Sequence, residues 1–304
     1  MATATIPVDL RNPGQVFACL GLMEAADVLL GRPCEGRFDY QDLETDTRFT
    51  IQVDGPDDPV ATVVRFLAQA EAKALVPRGS GLSTARWDVA TVPASKDDPV
   101  FPYPAPDTPA ALPIVLTDGT RQIAVDHWAD GAAATGRDNV KFWAGSGGYP
   151  GAALARDALE IVHGLGDNAL TEAIADPFVF SAPQSSSFRF DWRRDYIPLD
   201  AGFSPNAHTT VLMVGYPLVE LLAAIGLQNA RPDRPDPRDK LTYRYGVSNL
   251  RLPTAHARAV LGAQALWQHP FRRFPIRVFR MQLGWPGQEG QARCIIDAQE
   301  EFEP

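Results

Sequence analysis

Two stretches of the chain share one pattern of small and apolar residues, ACLGLMEA at residues 18–25 and AAIGLQNA at residues 223–230. A proline precedes each of them, Pro13 and Pro217, and proline is common at the first position of a helix. Because glycine allows close approach, the shared spacing predicts two helices that each lie close on a sheet. We interpret them as an internal duplication. The alternative is a chance match between common helix-packing residues.

The residues around the first stretch predict a complete N-terminal unit. Asn12 is a candidate N-cap for a helix that begins at Pro13 and ends at Gly31. The flanking sequence predicts strands at 6–10, 37–41 and 48–53, a second helix from Asp58-Pro59, and a closing strand at 84–89. The order strand, helix, strand, strand, helix, strand is that of a ferredoxin-like, RNA-recognition-motif-like unit.

The remaining sequence predicts a pseudo-duplicated α+β chain with two ferredoxin-like units and an irregular middle. Residues 92–113 contain seven prolines, and a hairpin is predicted around Asp118-Gly119. Further strands are predicted at 188–193, 242–247, 276–283 and 293–298, with helices at 152–163, 217–230 and 254–262. We divide the chain into an N-terminal ferredoxin-like unit (1–95), a proline-rich connection with hairpin, glycine-rich loop and helices (96–180), and a C-terminal α+β unit (181–304).

Charge is distributed unevenly along this acidic chain, which has a net charge of −9. Residues 189–280 contain 14 basic and 7 acidic residues, whereas residues 1–188 contain 13 and 25. A basic segment in an acidic protein predicts one face that meets phosphate. The alternative is a solvated basic stretch that the acidic parts compensate in the fold. With no signal peptide and no apolar run of membrane-spanning length, we expect a cytoplasmic protein.

A glycine-rich loop before a predicted helix is the first candidate anion site. Its residues are Lys141, Trp143, Gly145, Ser146, Gly147 and Gly148. Backbone N–H groups in such a loop, together with a helix N-terminus, favour a phosphate. The loop matches neither an ATP-binding nor a dinucleotide-binding motif, and it lacks the pattern of a hydrolase nucleophile. The alternative is a loop that only connects two elements.

The second candidate site is an arginine-rich and aromatic segment. If residues 188–193 form a strand, Phe188, Phe190 and Trp192 share one face, and Arg189 and Arg193 lie on the other. The arginines would then be exposed and available to phosphates and bases. The candidate nucleic-acid-binding residues here are Arg189, Arg193, Arg194, Tyr196, Arg272, Arg273 and Arg277. The alternative is that Arg193 and Arg194 pair internally with Asp191 and Asp195.

Metal, cofactor and catalytic sites are not indicated. The five histidines and three cysteines show no metal-binding spacing, and no carboxylate pair stands out. We therefore expect no metal, no cofactor and no catalytic residue. His127 and His208 are the histidines nearest to an acid–base role if the chain is an enzyme.

Four motifs resemble a subunit of type I-G CRISPR systems, formerly called I-U. They are VDLRNPGQ at 8–15, DNVKFWAG at 138–145, QSSSFRFDWRRDYIPLDAGF at 184–203 and GWPG at 284–287. The resemblance covers nearly the whole chain. It implies membership of the RAMP superfamily, whose members use ferredoxin-like domains and glycine-rich loops to hold guide RNA.

The resemblance implies a non-catalytic subunit of an antiviral effector that binds guide RNA or target DNA together with partner subunits, and no membrane. Two alternatives remain. One is a metal-independent endoribonuclease that processes CRISPR RNA. The other is a protein-only adaptor that recruits the helicase-nuclease. The acidic composition favours a peripheral or adaptor position over the backbone of the complex.

Overall fold

The computed structural model describes residues 1–40, 46–94, 108–125, 149–195, 212–236, 238–239, 241–262, 275–284 and 293–301. The helices are α1 (Pro13–Leu30), α2 (Pro59–Leu67), α3 (Gly151–His163), α4 (Asp167–Ala175), α5 (Pro217–Gly226) and α6 (Thr254–Leu261). The strands are β1 (Ala2–Pro7), β2 (Cys34–Asp39), β3 (Arg48–Val53), β4 (Glu71–Val76), β5 (Thr91–Pro93), β6 (Ile114–Thr117), β7 (Gln122–Val125), β8 (Ala182–Gln184), β9 (Met213–Gly215), β10 (Thr242–Ser248), β11 (Leu252–Pro253), β12 (Ile276–Gly284) and β13 (Cys294–Glu301).

The described strands form four small sheets, so the protein is a mixed α+β fold, as the sequence predicts. Their orders are β1-β3-β2-β11, β5-β4-β6-β7, β10-β12-β13 and β8-β9. All pairings are antiparallel except that of β4 with β5. The predicted segments 1–95, 96–180 and 181–304 all contribute side chains to one hydrophobic core. The division into these three domains stays a prediction.

Helix α1 begins and ends where its capping residues predict. The Asn12 side chain accepts a hydrogen bond from the Gly14 N–H, Pro13 is the first helical residue, and Gly31 ends the helix in the left-handed region at φ 65°. The expectation of no apolar run of membrane-spanning length is wrong, because this helix is long and apolar enough to cross a membrane. Its residues 13–26 are, however, buried inside the fold. It is therefore a core helix.

Helices α1 and α5 contact each other at the glycines of the repeated pattern. A Cβ atom on Gly21 would lie 1.8 Å from the backbone oxygen of Leu222, and one on Gly226 would lie 2.1 Å from that of Phe17. The N-terminal end of each helix lies beside Phe190, so the two helices run in the same direction. The expectation that these glycines allow close approach to a sheet is wrong, because each allows close approach to the other helix.

The first sheet contains the three strands that the N-terminal sequence predicts, two of them at shifted positions. β3 lies between β1 and β2 with antiparallel pairing to both, and α2 follows with Asp58 as its N-cap. The predicted closing strand at 84–89 is wrong, since Ala85–Trp87 forms a 3-10 turn with Asp88 at φ 54°. The strand that follows α2 is β4, which pairs with β5 and β6 in a different sheet.

Candidate functional site

The described residues include four of the predicted nucleic-acid-binding residues, Arg189, Arg193, Arg194 and Arg277. The others, Lys141, Trp143, Gly145, Ser146, Gly147, Gly148, Tyr196, Arg272 and Arg273, lie outside the described residues, as do His127 and His208. The described candidate residues lie in the segment 187–195, which contacts the N-terminal ends of α1 and α5, and in the sheet β10-β12-β13.

The segment 188–193 is not a strand. Phe188 and Phe190 are both buried, with their rings stacked 5.8 Å apart. Between them Arg189 has φ 68°, which breaks the alternation of an extended chain. Asp191 is fully buried, whereas Trp192 is 40% exposed. The predicted face with three core aromatics and exposed arginines opposite is therefore wrong for Trp192.

The Asp191 carboxylate lies at the centre of a buried polar cluster. Its Oδ1 atom accepts a hydrogen bond of 2.8 Å from the Asn12 side chain, so it connects to the N-cap of α1. Arg193 donates to the same carboxylate from Nε at 3.0 Å and from Nη2 at 2.6 Å. The Arg193 guanidinium also donates to the Phe178 carbonyl and lies 3.7 Å from the ring centre of Tyr216. The alternative that Arg193 pairs internally with Asp191 is confirmed.

Arg194 is buried and Arg277 is paired within the fold. Arg194 is only 4% exposed, so the predicted exposure of this side chain is wrong, and its Nε and Nη1 atoms have no hydrogen-bond acceptor among the described residues. Arg277 on β12 makes two hydrogen bonds to Glu300 on β13, of 2.7 and 2.5 Å. On the same sheet Arg244 and Arg280 both pair with Glu301.

These contacts do not bring Arg193, Arg194 and Arg277 into one strip for phosphate. Arg193 and Arg194 lie beside the buried carboxylates at the helix N-termini, whereas Arg277 lies in a sheet among paired carboxylates. A cavity of about 290 Å³ next to Arg193 is lined by Asp9, Asp46 and Asp176. Three carboxylates around one cavity disfavour a bound anion. The role of the four arginines in binding nucleic acid stays a prediction.

Glu220 is the member of the polar cluster that the sequence reading missed. It lies in the first turn of α5 and is 1% exposed. Its carboxylate accepts hydrogen bonds from the backbone N–H groups of Phe190 and Asp191, at 3.0 to 3.1 Å. These bonds anchor the 188–194 segment and occupy N–H groups that a strand would have paired with another strand. The available signal was one carboxylate in the otherwise apolar run PLVELLAAIG.

Burial raises the pKa of Glu220 to about 7, from an ordinary value of 4.5. The two backbone N–H donors and the charge of Arg194 oppose this increase, and the charge of Asp191 adds to it. The charge of Glu220 therefore changes near neutral pH. Among the described residues no group of three or more His, Cys, Asp or Glu side chains is placed to hold a metal ion.

No family model, curated protein or solved structure matches this chain. The geometry of the polar cluster fixes the N-terminal ends of two core helices, pairs Arg193 with Asp191 and buries Arg194.

The raised pKa of Glu220 predicts a pH dependence of stability that Glu220→Gln removes. Between the unfolded pKa of 4.5 and the folded pKa of about 7, the folded state binds more protons at this residue than the unfolded state does. The contribution of Glu220 to the free energy of unfolding therefore falls as pH rises through this window, by about 3 kcal/mol. Urea unfolding of wild type and variant at about pH 5 and about pH 8 isolates this contribution as a difference. A difference that stays constant over this range would contradict the assignment.

Proposed function

We propose that this chain is a non-catalytic subunit of a type I-G CRISPR effector and contributes mainly contacts with other protein subunits. The four sequence motifs that resemble this family support the placement in such a complex. We place the complex in the cytoplasm, where guide RNA and invading DNA meet.

The placement of three of the predicted arginines supports this emphasis on protein contacts. Carboxylates hold Arg193 and Arg277, and Arg194 is buried. The guanidinium groups of Arg193 and Arg277 must each exchange an internal carboxylate for a phosphate before they can bind nucleic acid, so little binding energy is gained. Within the described part of the chain, this small gain favours the adaptor alternative over a subunit whose surface follows guide RNA.

We also propose that the fold arose by duplication of a ferredoxin-like unit. The glycine contacts are reciprocal: Gly21 meets Leu222, which stands four residues before Gly226, and Gly226 meets Phe17, which stands four residues before Gly21. Equivalent positions thus make equivalent contacts across the helix pair. The strand order β1-β3-β2 supports a ferredoxin-like ancestor for the first copy.

Co-expression with the neighbouring genes and a guide array tests the proposed role. We expect the tagged chain to purify with the other effector subunits. The isolated chain should bind repeat RNA only at the level of non-specific association, with a Kd on the order of 10⁻⁴–10⁻⁶ M, and Arg277→Ala should leave this value unchanged. In EDTA the isolated chain should leave repeat RNA uncut.

Three results would contradict this proposal. Failure to purify with any effector subunit argues against membership of the complex. Binding of repeat RNA far below micromolar Kd, with a steep loss as salt rises, would instead favour a nucleic-acid-binding subunit. Cleavage in EDTA would favour the endoribonuclease alternative.

A further inference from the structure

The strand β13 forms an open edge of the three-stranded sheet in the described part of the protein. In the order β10-β12-β13 it has a neighbour only on the β12 side. At its N-terminal end the Ile295 N–H donates a 3.3 Å hydrogen bond to the Arg189 carbonyl. One backbone group of the 188–194 segment therefore already pairs with this strand. An extended segment that lies along β13 beyond this contact would form hydrogen bonds with further backbone groups of the same edge.

Two exposed apolar side chains lie together beside this strand. Trp192 is 40% exposed and Ile296 is 44% exposed, and both line one cavity of about 460 Å³. Ile296 is the extra residue of a β-bulge, because Gln282 pairs with Asp297 whereas Leu283 pairs with Ile295. Bulges redirect side chains, and this one accompanies an isoleucine that is exposed next to an indole.

The cavity carries charges of both signs, with Arg11 at one position of its lining and Asp297 and Glu300 on β13. Glu300 is paired with Arg277. Asp297 is exposed, and its Oδ2 atom accepts a 2.9 Å hydrogen bond from the neutral side chain of Gln299. Asp297 has no ion-pair partner among the described residues. A ligand cation close to Asp297 would therefore meet a carboxylate that is not held in an ion pair with a described residue.

We propose that the cavity beside β13 binds an extended segment of a partner protein, which adds to β13 as a further strand. We call it the β13 groove; its residues are Arg11, Trp192 and 296–300. The partner segment places an apolar side chain such as valine on Trp192 and Ile296, and a lysine or arginine near Asp297. Main-chain hydrogen bonds give affinity in such strand addition, and the side-chain contacts give specificity. The inference rests on the proposed function for its choice of a protein partner.

A ten-residue peptide of alternating valine and lysine is the probe that tests the β13 groove. Fluorescence anisotropy of the labelled peptide measures its affinity, and hydrogen exchange of the protein measures protection of the β13 amides. We expect binding to wild type with slowed exchange in β13. Trp192→Ala and Asp297→Lys should each weaken binding about tenfold or more. Val28→Ala removes an exposed apolar side chain that does not line the groove and should leave the affinity unchanged.

Two control peptides separate strand addition from simple charge attraction. A peptide of alternating valine and glutamate should bind about tenfold more weakly or worse, because its charges repel Asp297. A valine–lysine peptide with N-methylated alternate amides keeps its side chains and charge but loses the hydrogen bonds of one edge, so it should fail to protect β13. Equal binding by the N-methylated peptide, or unchanged affinity of Trp192→Ala, would overturn the proposal.

These results are distinguishable from a failure of the proposed function. If the chain purifies with effector subunits but the peptide does not bind, only the β13 groove is wrong. If the peptide binds as expected but the chain purifies with no effector subunit, the groove stands and the CRISPR assignment fails. Trp192 is 40% exposed and Asp297 is exposed, so both variants should remain folded at the temperature of the binding assay, which circular dichroism checks.

Discussion

Substitution of Gly21 by alanine should destabilise the protein by about 3 kcal/mol or more, at the upper end of what overpacking costs. The added methyl group would lie 1.8 Å from the backbone oxygen of Leu222. A backbone atom cannot rotate aside as a side chain does, so α1 and α5 must separate and lose packing along their whole contact. The free energy of unfolding in urea measures the loss, and a poor yield of soluble protein would agree with it.

Two further variants make this test specific for the helix crossing. Gly81→Ala is the matched control, because a Cβ at Gly81 meets no atom within 4 Å; it should change stability by less than about 1 kcal/mol. Gly226→Ala should cost about as much as Gly21→Ala, because its methyl group meets the Phe17 oxygen at 2.1 Å. Since both widen the same crossing, the double variant should lose less than the sum of the two. If the Gly21→Ala protein is as stable as the Gly81→Ala protein, α1 and α5 do not pack as closely at Gly21 as described.

Asp191→Ala should cost about 3 kcal/mol or more, the second large effect. The change leaves the Arg193 guanidinium without its carboxylate in a site where its side chain is only 25% exposed. It also removes the acceptor for the Asn12 side chain and so disconnects the 188–194 segment from the start of α1. Chemical denaturation measures the loss, and hydrogen exchange should show faster exchange at the N-terminal ends of α1 and α5.

A surface ion pair provides the comparison for Asp191. Arg32 and Asp57 form an ion pair in which the side chains are 34% and 51% exposed. Asp57→Ala should therefore cost at most about 1 kcal/mol. If the two aspartate variants lose the same small amount, the cluster at the helix N-termini does not hold the segment as described.

Local signals predicted those elements whose ends are determined by their own residues. Asn12, Pro13 and Gly31 define α1 through an N-cap hydrogen bond, a fixed φ and a left-handed terminus, none of which depends on distant residues. The Asp118-Gly119 turn likewise identified the β6–β7 hairpin, which is paired in the structure from 114–117 to 122–125. In both cases the relevant interactions span only a few residues.

The errors arose where distant residues decide the local conformation. The alternation of aromatic and charged residues at 188–193 predicts a strand, but the Glu220 carboxylate takes the N–H groups of Phe190 and Asp191. No local signal in the segment reports that carboxylate, which stands about 30 residues further along the chain. The strand that follows α2 was predicted at the wrong position for a similar reason. The partners of β4 include β6, which follows the proline-rich residues 92–113 in the sequence.

The candidate site was only partly predictable. Sequence reading identified Arg193 and Asp191 as a possible internal pair, and the structure contains that pair. It could not indicate that Trp192 would be exposed beside β13, because this depends on φ 68° at Arg189 and on the bulge at Ile296. Both features depend on contacts with residues that are distant in the sequence.

The contact between α1 and α5 can form only after both helices have been synthesised. Roughly 190 residues separate Leu30 from Pro217, and ribosomes add about 5–20 residues per second. For about 10–40 s the nascent polypeptide carries an apolar helix whose partner has not yet emerged. During that interval the newborn N-terminal half is exposed to aggregation, so its production in cells should depend on chaperone capacity more than that of a chain whose helices pair with sequence neighbours.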